Sequence, residues 1–77
     1  MHTDTDTYYH PRNVSMRAQY ATAASSVWRF DVETIKLAID RTRAHNRELH
    51  ARGDLRPEDL IYLRACLDEL TSRGISY

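Results

Sequence analysis

From residue 14 onward the apolar residues recur every three or four positions, the spacing that gathers side chains on one face of a helix. Three such stretches follow one another. In residues 14–29, Met16, Tyr20, Ala23, Ala24, Val27 and Trp28 fall on one face, and the alanines make a narrow ridge suited to close packing. Asn13 or Ser15 can cap the start. Thr22, Ser25 and Ser26 are poor helix formers, which makes this stretch the weakest of the three.

The second stretch opens with stronger punctuation. Asp31 suits the N-cap, and Phe30 and Ile35 flank it at the spacing of a hydrophobic staple. Glu33 places negative charge in the first turn. The pattern predicts a helix over 32–52 with an inner stripe of Ile35, Ala38, Ile39, Thr42, Asn46 and Leu49. Gly53 stops it, because glycine takes the left-handed conformation at low cost.

The third stretch begins at Pro57, a residue that fits the first helical position, followed by Glu58 and Asp59 in the first turn. Leu55 and Leu60 form a second staple, while Arg56 is a poor cap. Leu60, Leu63, Leu67 and Leu70 make the expected inner stripe of a helix over 57–73. Gly74 ends it, and Ile75 falls where a Schellman motif returns a hydrophobic contact to Leu70. The short link 53–56 predicts that the last two helices lie antiparallel.

The expected fold is therefore all-α: a small three-helix bundle built on an antiparallel αα-hairpin, about 32–52 and 57–73, with a helix at about 14–29 before it. Residues 1–12 contain no Val, Ile, Leu, Phe or Trp and read as a flexible tail, with Tyr8 and Tyr9 as its only anchors. Residues 13–77 read as a single helical domain. Three residues fall off the stripes. Leu37 lies beside Ala44, and Ile61 and Ala65 flank the leucines. Each hairpin helix thus carries a second apolar strip, for the first helix, a second subunit or another partner to cover, or for solvent.

Composition narrows the functional classes. The chain has 77 residues, 11 basic and 11 acidic, with no net charge. A nucleic-acid binder is expected to be basic, so neutrality argues against one. The neutrality is uneven: residues 32–52 hold five basic and three acidic residues, and residues 57–73 two and four. One core of this size supplies only ~3–5 kcal/mol, so a partner surface would help stability. The single cysteine, Cys66, permits no internal disulfide and reads as a small buried hydrophobe. Its solitude fits a reducing, cytoplasmic setting. The polar start carries no secretory signal pattern, and no apolar run is long enough for a membrane span.

Catalytic, cofactor and metal motifs are not expected. His45 and His50 are five apart, which turns their rings ~140° from one another, whereas a helical metal pair needs a spacing of four. The tail residues His2, Asp4, Asp6 and His10 would have to be ordered before they could hold an ion. Two glycines cannot build a phosphate-cradling loop. The outward face of the second helix carries Lys36, Asp40, Arg43, Arg47 and His50, with Lys36 and Asp40 spaced as an i,i+4 pair. Thr42, His45 and Asn46 interrupt or flank the inner stripe, as a loosely packed far end or as a patch that fixes register or meets a partner.

These features point to a small non-enzymatic protein–protein interaction module, an inhibitor or adaptor of the phage or mobile-element anti-defence kind or a bacterial regulator. Tyr8, Tyr9, Leu37, Arg43, Arg47 and Ile61 are the candidate contacts, since interfaces favour Tyr and Arg as anchors. One alternative is a dimeric DNA-binding regulator, either ribbon-helix-helix, with Val27–Phe30 as a strand carrying Arg29, or helix-turn-helix. Another is a homodimeric helical bundle.

Overall fold

The computed structural model describes residues 14–77. Tyr8, Tyr9, Asn13, the four tail residues considered for metal and the flexible-tail assignment lie outside the described residues. Helix α1 spans Val14–Val27, α2 spans Val32–Ala51, a 3-10 turn covers Pro57–Leu60, and α3 spans Ile61–Ser72. This is the expected three-helix bundle on an αα-hairpin.

The punctuation acts where the sequence places it. The Asp31 side chain accepts the Thr34 amide at 2.8 Å, and those bonds hold its carboxyl below the usual range. Phe30 and Ile35 both join the core, as a staple requires. Gly53 and Gly74 have φ of 75° and 77°. Asp54 and Ile75 return Schellman bonds of 2.8 and 2.9 Å to the carbonyls of Leu49 and Leu70. Arg56 offers no acceptor. Instead Asp59 reaches back to the Arg56 amide at 2.9 Å, and the helix starts through a 3-10 turn.

Helix α3 is central: both α1 and α2 pack on it. Asn46 of α2 meets Asp59 before α3, while Ile35 and Leu70 share the core at the opposite end, so the hairpin is antiparallel. Tyr20 bonds to Asp68, and Arg73 reaches the Trp28 carbonyl, so α1 and α3 run the same way. The result is an up-down-up bundle. Its core is Val27, Ile35, Ile39, Cys66 and Leu70, ringed by partly buried Phe30, Val32, Ala38, Tyr62, Leu63, Leu67 and Ile75.

Three expectations need correction. Trp28 does not join the α1 face; it lies in the turn after α1 and is 59% exposed, with the Arg29 guanidinium 5.7 Å from its ring. Val27–Phe30 is a helix end and a turn, not a strand. The leucine stripe is not the centre of the α3 core face. Leu60, Leu63 and Leu67 are only half-buried, whereas Ile61, Ala65, Cys66 and Leu70 are buried. The reason is that α3 has two neighbours. Ile61 and Leu70 stand roughly 180° apart at 100° per residue, so burial covers half the cylinder and turns toward α1. The leucines are left on the flank.

Candidate partner-binding surface

That flank faces a seam between α2 and α3 on the side away from α1. Near the hairpin turn the seam is a groove of about 290 Å³, with Leu55, Leu60 and Leu63 on one wall and Arg43, Arg47 and His50 on the other. The three polar side chains are exposed and the leucines half-buried. None of the residues lining it is acidic.

Each carboxylate of α3 and its leading turn is directed elsewhere. Asp68 accepts the Tyr20 hydroxyl and pairs with Arg64 at 3.3 Å. Glu69 pairs with Arg73 at 2.8 Å. Glu58 and Asp59 line a different groove with Arg41 and His45. The two histidines therefore sit on separate grooves, and among the described residues no cluster of three or more metal-ligating side chains exists.

At its other end the seam is occupied by the chain's own C-terminus, which the sequence pattern did not flag. Ile75 packs on the core, and the Tyr77 hydroxyl donates to Asp40 at 2.6 Å. The Tyr77 ring lies 5.9 Å from both the Lys36 ammonium and the Arg43 guanidinium. The Asp40 bond holds the phenol above its ordinary pKa, since a carboxylate disfavours the phenolate. Asp40 is thus engaged with Tyr77, and Lys36 pairs instead with Glu33 at 3.8 Å. The expected Lys36–Asp40 pair is replaced.

The six candidate contacts separate cleanly. Arg43 and Arg47 stand together on the groove. Leu37 is 50% exposed and lies on the outer face of α2, far around the helix from the seam. Ile61 is 3% exposed, so it packs within the chain and offers no surface; with Ala65 it belongs to the arc covered within the bundle. Tyr8 and Tyr9 lie outside the described residues.

Asn46 is 7% exposed. Its Nδ2 donates to the Asp59 carbonyl at 3.2 Å, while Oδ1 is buried without a partner. It ties α2 to the entry of α3 within one chain, so it fixes hairpin register. Cys66 is fully buried, and burial raises its thiol pKa, with a smaller opposing effect from the Tyr62 hydroxyl. That setting suits packing rather than nucleophilic chemistry. No helix among the described residues is long and apolar enough to cross a membrane. Compared with known proteins, the chain matches no family model, no curated protein and no solved structure.

Proposed function

We propose that this chain is a small non-enzymatic protein-interaction module that acts in the cytoplasm as an inhibitor or adaptor by binding a larger protein. The observation that carries this reading is the half-buried leucine flank of α3 beside Arg43 and Arg47. Three helices have docked, and of the leucine stripe only Leu70 is fully buried, while Leu60, Leu63 and Leu67 stay half-buried. Leucine is retained at half-exposed positions without penalty when a partner completes the burial, and arginine is a preferred anchor at such margins. The chain's neutral charge and its shallow grooves fit binding better than catalysis.

Site-specific photocrosslinking in cells that carry the gene tests this. A crosslinker at Arg47 is expected to capture one defined protein, which then binds the purified full chain. The same crosslinker at Leu37 is expected to capture little. Absence of any protein adduct from either position, with a stable isolated monomer, would contradict the reading.

A further inference from the structure

Resting on that reading, we infer that the α2–α3 seam receives an acidic amphipathic helix from the partner protein. Two independent features select this occupant. The first is shape and apolarity. Leu55, Leu60 and Leu63 form the apolar wall of the open groove, and from Leu60 to Leu67 the flank rises roughly 10 Å, its far end meeting the C-terminal Ile75 and Tyr77. A partner helix of two to three turns matches that length and meets it with apolar residues at i, i+3 or i+4, and i+7.

The second feature is charge. The neutral chain concentrates unopposed cations along this wall: Arg43 and Arg47 line the groove, and no carboxylate does. Of the carboxylates on α3 and its leading turn, Asp68 and Glu69 are paired away from the seam, and Glu58 and Asp59 face another groove. Asp40 is taken by Tyr77, and Asp54, near the hairpin turn, lies 4.0 Å from Arg52. Arginine forks suit carboxylates as well as phosphates. The leucine wall decides between them, because a nucleic-acid backbone gains nothing from apolar surface, whereas an amphipathic helix covers leucine with one face and presents carboxylates from its margin. At the far end the chain's own Tyr77 seats an aromatic ring beside Lys36 and Arg43.

The test is a selection. The full chain is used as bait for a display library of 14-residue helices with every surface position randomised, and enriched peptides are measured by fluorescence anisotropy. The expected result is enrichment of Glu- and Asp-rich helices with two or three apolar anchors. Their affinity is expected to fall at least tenfold in the R43E/R47E double variant and to weaken as salt rises. Binding is expected to be unchanged in Leu37→Ser. Both arginines are exposed, so the double variant should keep its helical circular dichroism; R43A/R47A serves if it does not.

Enrichment of basic or neutral peptides, or binding indifferent to both arginine variants, overturns the inference and leaves the interaction-module reading to its own crosslinking test. Failure of any peptide to enrich overturns it equally. Tight binding of duplex DNA lost in R43E/R47E overturns it in favour of phosphate recognition. Concentration-dependent dimerisation abolished by Leu63→Glu overturns it in favour of a second copy of this chain.

Discussion

Asn46 is the residue whose environment is least balanced. It contributes one hydrogen bond across the hairpin and leaves one acceptor buried and unpaired. A net hydrogen bond is worth about 1 kcal/mol, and an orphaned acceptor costs a similar amount, so the residue ties α2 to the entry of α3 while adding little net stability. Asn46→Ala removes both, and the freed Asp59 carbonyl lies in a part-buried site. Urea denaturation is expected to register a net loss of about 1 kcal/mol or less. A loss of 3 kcal/mol or more would mean that Asn46 carries the hairpin. Tyr77 gives a prediction in pH. Its folded pKa is raised, so the stability from its bond to Asp40 is present below the ordinary phenol value and lost as pH rises through the folded value. Melting of the wild-type chain and of Tyr77→Phe should differ at pH 8 and converge in strong alkali. Equal melting at pH 8 would place the latch outside the stability of the fold. In the sequence Asn46 was legible as a polar break in a stripe, and the latch was not. Nothing local marks a terminal tyrosine as a partner for a residue 37 positions away.

The helices differ in how firmly they are held. Helices α2 and α3 have Schellman ends and the larger share of the core, and α2 starts from the Phe30–Ile35 staple. Helix α1 buries only Met16 and Val27, and Thr22, Ser25 and Ser26 turn their hydroxyls back onto its own carbonyls. Its C-terminal end is held by Arg73, whose guanidinium donates to the Trp28 carbonyl at 3.0 Å while pairing with Glu69. Native-state hydrogen exchange should therefore show α1 opening at lower free energy than the hairpin. Arg73→Met should speed exchange in residues 20–28 more than in α2. Uniform protection across the three helices would contradict this ordering. Element existence and ends were readable because caps and glycine stops act through neighbouring residues. The rotation of α3 was not readable. A single-helix pattern selects the most hydrophobic arc, Leu60 to Leu70. The burial of Ile61 and Ala65 depends on where α1 docks, and that is settled only when three helices share one core.

For the whole molecule the stability margin is thin. The fully buried large side chains are few, with Ile35, Ile39 and Leu70 the largest. A core of this size supplies ~3–5 kcal/mol, and truncating a buried isoleucine to alanine costs about 2–5 kcal/mol. Ile39→Ala is therefore expected to be largely unfolded at room temperature by circular dichroism. A cooperative melt close to wild type would mean that the core is better supported than its buried residues account for. The same thinness explains why the surface matters to function. The leucine flank of α3 packs its inner side on the core and keeps a partly exposed edge on the groove, and the arginines beside it stand without acidic neighbours there. Charge asymmetry between the hairpin helices was visible in the sequence. Its concentration along one seam follows from ion pairs and hydrogen bonds that direct the acidic side chains elsewhere. The most direct measurement is a backbone amide shift map of the isotope-labelled full chain titrated with the protein captured by crosslinking at Arg47. The account predicts shifts gathered on residues 43–50 and 55–67. Shifts confined to α1, Trp28 or the Leu37 face, or none at saturating partner, would contradict it.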